Sequence, residues 1–185
     1  MKKQQFLGLS VMILALCLIF VGCDSGGDES DSWSTVTSLS QVNGTWQGSM
    51  SETMPIKQFA EDFFGEEFDE EAQAVFGNMS VNVRLDVSVT INSSTGFMSQ
   101  AMTQTITFSG GNIVDVWPVI KTEFSGPGVI VSDSNHSVTY SDSGTDYITD
   151  NDLGGVEINQ NGNKLREPAS NYGFSSGKYF IYNKQ

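Results

Sequence analysis

Thiols, imidazoles and cations are scarce in this chain. Its 185 residues hold two cysteines, one histidine and nine Lys+Arg against 22 Asp+Glu. Cys17 and Cys23 both fall at the N-terminal end, so the rest of the chain has no thiol for a disulfide or a Cys-ligated metal, and its fold must be held by its core. The single His136, in "SDSNHSV", finds no second His or Cys for a transition-metal set and reads as a turn or strand-edge residue. With a formal net charge of −13 the chain repels nucleic acid and anionic lipid surfaces, so neither is expected as a partner. Long apolar runs are missing too. The one candidate, Phe6 to Val21, is shorter than the ~20 residues that span a bilayer.

What is present begins with that run. Lys2 and Lys3 precede it, the layout of a secretory signal. Its end, Phe20-Val21-Gly22-Cys23, resembles the lipobox of bacterial lipoproteins, in which a Cys after a small residue is lipidated and becomes the mature N-terminus. The resemblance implies a signal peptide over 1–22, Cys23 as the lipidation site, and a lipid-anchored location in the bacterial cell envelope, on the periplasmic face or the cell surface. Cys17 then leaves with the signal. So do Lys2 and Lys3, which leaves seven basic residues against 22 acidic ones, a net of −15. Contact with the membrane is expected through the lipid alone.

Residues 23–40, chiefly "DSGGDESDSWSTVTSLS", offer little to bury and read as a flexible acidic Ser/Gly tether with Trp33 as its only large aromatic. A single domain is expected over 41–185, mainly β. "VNVRLDVSVTI" alternates without a break from Val81 to Ile91, a period-two pattern that predicts a half-buried strand. After "NSSTG" the chain returns as a second strand, Phe97 to Ser109. Further strands are expected at Ile113–Val119, Gly128–Ser132, His136–Tyr140, Val156–Asn159, Lys164–Glu167 and Lys178–Asn183, with a hairpin turn at Asn161-Gly162. Between the first strand and Val81 the period changes. Ile56, Phe59, Ala60 and Phe63, then Phe68, Ala72, Val75 and Phe76, fall at helical spacing on either side of Gly65, predicting two short amphipathic helices within about 55–77. Their outer faces carry Glu61, Asp62, Glu66, Glu67, Asp69, Glu70 and Glu71, read as a solvated acidic surface.

The first strand carries Gly44-Thr45-Trp46. Followed by a helix pair, a long strand and a meander, this triplet resembles the start of calycin proteins: the G-x-W of lipocalins and the Gly-Thr-Trp of fatty-acid-binding proteins. The resemblance implies an antiparallel up-and-down β-barrel of about 8–10 strands, with Gly44, Thr45 and Trp46 at its floor, the helix pair as its lid, and a small apolar or amphipathic ligand inside. Phe59, Phe63, Val83, Leu85, Val87, Phe180 and Tyr182 are the ligand-facing positions it implies. The Arg-x-Tyr of fatty-acid-binding proteins is replaced here by Phe180-x-Tyr182, with Lys178 as the nearby cation. A lipocalin would set a basic residue against its motif Trp, and Arg166 or Lys178 could do so for Trp46.

No catalytic set assembles from the sequence, and a non-enzymatic protein without a cofactor is expected. Gly173-Phe174-Ser175-Ser176-Gly177 matches G-x-S-x-G but precedes a terminal strand, and His136 lies upstream. Asp142, Asp146, Asp150 and Asp152 are hard oxygen ligands of the kind calcium prefers, but their spacing is not that of an EF-hand, and an acidic surface loop is the simpler account. Two functions from different classes follow: an envelope lipoprotein that holds a ligand inside its barrel, or a barrel packed solid that acts as a surface protein-interaction or inhibitor module.

Overall fold

The alternation from Val81 to Ile91 forms strand β3 (Met79–Asn92) in the structure, a computed structural model that describes residues 32–64, 69–174 and 176–185. Val81, Val83, Leu85 and Val87 are buried and the residues between them face the other way, as a pleated strand requires. The remaining elements, in chain order, are β1 (Trp33–Thr35), β2 (Gly44–Pro55), α1 (Ile56–Phe64), α2 (Glu70–Phe76), then after β3 the strand β4 (Phe97–Gly110), α3 (Ile113–Glu123), β5 (Val129–Ser132), β6 (Ser137–Tyr147), β7 (Glu157–Asn159), β8 (Lys164–Pro168) and β9 (Tyr179–Lys184). Short 3-10 turns lie at Leu39–Val42, Asp150–Leu153 and Ala169–Tyr172.

The nine strands form one antiparallel sheet in the order β1-β7-β8-β9-β2-β3-β4-β6-β5. The protein is therefore mainly β, with its helix pair between β2 and β3 as the sequence predicts. The sheet is not closed into a barrel. Closure would need the two terminal strands to pair with each other, and β1 and β5 are only three and four residues long and stand at opposite ends of the order. Among the described residues no helix is long and apolar enough to cross a membrane.

The chain divides into two compact units, with the divisions falling inside the long strands. Of the described residues, the first takes 32–49, Val87–Ala101 and Asp142–Gln185. In it β7, β8 and β9 pair in register, Ile158↔Leu165 and Leu165↔Tyr182, and β9 pairs β2 with Trp46↔Lys184. The Asn161-Gly162 turn joins β7 to β8 with Gly162 at φ +68, and the buried Asn159 amide oxygen accepts the N–H groups of Asn163 and Lys164 at 3.0 Å. Residues 33–40, expected in the tether, are folded: β1 pairs β7, and Val36 and Leu39 are buried. Three well-placed apolar residues in a Ser/Thr-rich segment were enough to dock it, since Val36, Leu39 and Val42 all reach the core.

The second unit takes Met50–Asp86 and Met102–Ser141. Helix α1 buries Ile56 and Phe59, and Phe59 meets Phe108 edge-on at 6.1 Å. Helix α2 departs from the expected docked stripe: none of its residues is buried, and Val75 is 47% exposed. It is held at its start instead, where Asp69 Oδ1 accepts the Ala72 N–H at 2.8 Å. The predicted strand at Ile113–Val119 is helix α3. Its β-branched residues favour a strand locally, but Val116, Trp117 and Ile120 share one helical face and are buried, so tertiary packing decides the period. Strand β6 also runs on past the expected end at Tyr140, so Asp142 and Asp146, read as loop residues, belong to a strand.

Candidate functional site

The Gly44-Thr45-Trp46 triplet lies in the first unit at the start of β2. Gly44 has φ +120, a conformation L side chains rarely adopt, and a Cβ there would come within 3.3 Å of Lys184 Cε. Thr45 Oγ1 is 3.0 Å from Thr90 Oγ1 on β3. Trp46 is 1% exposed and its Nε1 donates to Val42 O at 2.7 Å, so its one polar group is satisfied. A cation does sit over this indole, but it is Lys184, with Nζ 5.1 Å from the ring centroid. Its Cα partner in the β2–β9 register is Trp46 itself, which no spacing in the sequence signals. Arg166, a sequence candidate for that role, lies elsewhere: its guanidinium stacks on Trp33 at 4.5 Å and on Tyr179 at 4.2 Å, and its Nε donates to Glu157 Oε2 at 2.6 Å.

The implied ligand-facing positions are packed. In the second unit Phe59, Val83 and Leu85 are buried in the core with Phe108; in the first, Val87, Phe180 and Tyr182 are buried. Gly48 explains how closely β2 and β9 approach, for a Cβ there would lie 2.3 Å from Phe180 Cε1 and 2.6 Å from Ile181 O. The Tyr182 hydroxyl is already engaged. It donates to Glu167 Oε1 at 2.7 Å and lies in a short contact with the Tyr172 hydroxyl, which also reaches Glu167 Oε1. Burial first, and then the charge of Glu167, push the Tyr182 hydroxyl well above the ordinary tyrosine range. The Tyr182 hydroxyl is thus satisfied by groups of the protein itself, Glu167 and Tyr172. The side chain of Phe63 lies outside the described residues, as do Cys23 and Ser175.

The remaining candidates are dispersed. Asp142 Oδ1 and Asp146 Oδ1 accept the N–H groups of Ser143 and Tyr147; Asp150 Oδ1 accepts that of Leu39 at 2.7 Å; Asp152 Oδ2 accepts the N–H and hydroxyl of Thr149. The Thr149 amide, then its hydroxyl, hold the Asp152 carboxyl below the usual range. Among the described residues no three His, Cys, Asp or Glu side chains converge to hold a metal. Around Gly173 and Gly177 a 3-10 turn precedes and β9 follows, which is not the strand-to-helix bend a nucleophile elbow needs. His136, with φ 47, packs edge-on against Trp117 at 5.4 Å. Trp117 Nε1 and Lys121 Nζ both donate to Asp133 Oδ1, at 2.7 and 2.9 Å, and Lys121 first, then Trp117, lower the Asp133 pKa. Lys178 has a partner within the protein.

A concave site does open on the outer side of the first unit, and sequence reasoning missed it. Ser88 and Thr90 of β3, Ser99, Gln100 and Ala101 of β4, and Ser143, Gly144 and Thr145 of β6 line a shallow, largely open cleft of ≈ 400 Å³. None of the implied ligand-facing residues is among them. The lining carries no charge, although the chain is strongly acidic. Small outward residues on adjacent strands are ordinary for a solvated sheet face, so only the register that aligns them reveals the hollow. No family model, no curated protein and no solved structure matches this chain.

Proposed function

We propose that this protein is a non-enzymatic binding module of the bacterial cell envelope, anchored by lipid at Cys23, whose ligand docks on the outer cleft of β3, β4 and β6 while its interior is filled by its own side chains. It shares the filled interior of the second function the sequence leaves open, a surface protein-interaction or inhibitor module, and places a ligand on the outer cleft instead. The observation that carries it is the burial of the positions meant for an internal ligand, above all Tyr182, whose hydroxyl is committed to Glu167. The calycin resemblance then describes the order of elements, and the interior does not serve as a binding chamber.

Hydrogen–deuterium exchange on the full-length protein in detergent, with and without a lipid-free envelope extract, tests this. Protection is expected at 88–90, 99–101 and 143–145. Protection centred on Phe59 and Phe180 instead, or an apolar species retained in native mass spectrometry and quenching Trp46, would return the ligand to the interior.

A further inference from the structure

The cleft's own chemistry selects among ligands. Ser88, Thr90, Ser99, Ala101, Ser143 and Thr145 are all short, and their alternation on three neighbouring strands leaves the hollow of ≈ 400 Å³. The same alternation continues one step along β4 and β6 to Phe97 and Tyr147. Their rings meet edge-to-face at 5.6 Å, and they are 37% and 73% exposed. The pair is positioned by the turn beside it. Gly96, at φ +71, accepts the Ile148 N–H at 2.8 Å, and a Cβ on Gly96 would lie 2.6 Å from Ile148 O, so only glycine lets β6 close onto the start of β4 there.

A hollow of hydroxyls with aromatic rings at one end suits few ligand classes. Thr90 keeps its contact with Thr45, but an apolar ligand would strip water from the hydroxyls of Ser88, Ser99, Ser143 and Thr145 without replacing it. An anionic one meets the field of a chain with net charge −13, and a cationic one finds no carboxylate in the lining. What fits is an uncharged molecule with many hydroxyls and flat faces of C–H groups, able to exchange hydrogen bonds with Ser and Thr while one face lies on a ring. We infer that the cleft, with Phe97 and Tyr147 at its end, is a binding site for a neutral oligosaccharide. The inference rests on the surface reading proposed above and names the ligand class of that same site.

The test is calorimetric titration of the full-length protein in a sugar-free detergent such as lauryldimethylamine oxide, with maltohexaose, cellohexaose and the hexamer of N-acetylglucosamine as neutral probes and hexagalacturonate as the anionic one. At least one neutral hexamer binds and hexagalacturonate does not. Tyr147→Ala, at a position too exposed to matter for folding, weakens binding roughly five- to tenfold. Ala101→Trp, which fills the hollow, abolishes it while the protein's melting curve is retained. Failure of all three neutral hexamers at millimolar concentration overturns the inference, and so does binding that survives both substitutions. If envelope extract still protects the cleft from exchange when no hexamer binds, the surface reading stands and the sugar falls.

Discussion

Tyr140 carries a hydroxyl that is buried without a hydrogen-bond partner among the described residues, and burial pushes its pKa up to about 12. A phenol whose folded pKa is raised stabilises the fold below its unfolded value of 10.0, and this contribution is lost as pH rises from there towards 12. Tyr182 acts in the same direction. Alkaline unfolding is therefore expected to begin above pH about 10, read by circular dichroism alongside the tyrosinate absorbance. Tyr140→Phe removes the unpaired hydroxyl at constant shape. It should leave stability unchanged or raise it by up to about 1 kcal/mol in denaturant melts; a loss would mean that the hydroxyl has a partner. At Trp46 the sign reverses. Lys184→Met removes the cation over the indole and should cost about 0.5–1 kcal/mol, followed by Trp fluorescence during unfolding. The triplet containing Trp46 was legible in the sequence, but its cation was not, because Lys184 meets Trp46 only through the β2–β9 register, far from it along the chain.

At the scale of elements, the strand β3 was the most legible part of the fold, since a half-buried strand writes its period directly into Val81, Val83, Leu85 and Val87. Helix α3 was the least legible, because Ile113, Val114, Val116, Val119 and Ile120 carry strand propensity while only the buried set Val116, Trp117 and Ile120 carries the helical period. The two readings separate experimentally. Ile120→Ala should cost about 2–5 kcal/mol, whereas Val119→Ala, 57% exposed, should stay within about 0.5 kcal/mol. The period is read at Trp117: comparable losses for Trp117→Ala and Ile120→Ala match the helical face that buries both, whereas a loss at Ile120 with little at Trp117, three residues away and on the opposite face in period two, would argue for a strand. The β2–β9 pair gives another element-scale test. Gly48→Ala must push its Cβ into Phe180 and the Ile181 carbonyl, so a loss of about 3 kcal/mol or more is expected in thermal or denaturant unfolding. A neutral outcome would show that β9 yields.

At the scale of the whole molecule, the sequence predicted a sheet-based fold with a helix pair after its first long strand, and the calycin resemblance added a closed barrel, which the open nine-stranded sheet does not form. Closure depends on what the two outermost strands meet, and neither the three residues of β1 nor the four of β5 announce a partner in their composition. The outer cleft was hidden for the same reason, since Ser, Thr, Ala and Gly acquire meaning only when three strands align them. On the lipoprotein reading, Cys23→Ser should move the protein out of the detergent-soluble membrane fraction's lipidated pool and remove the acyl mass on intact-mass measurement; an unchanged mass would exclude lipidation at that cysteine. Folding of β1 bears on the same anchor. A tether ending at Gln41 could hold the fold at any height up to roughly 60 Å above the lipid, but with Trp33 already clamped on Arg166 the leash from Cys23 reaches only roughly 35 Å. The module would work as a short-range device, sampling only what lies within a few nanometres of the membrane that carries it.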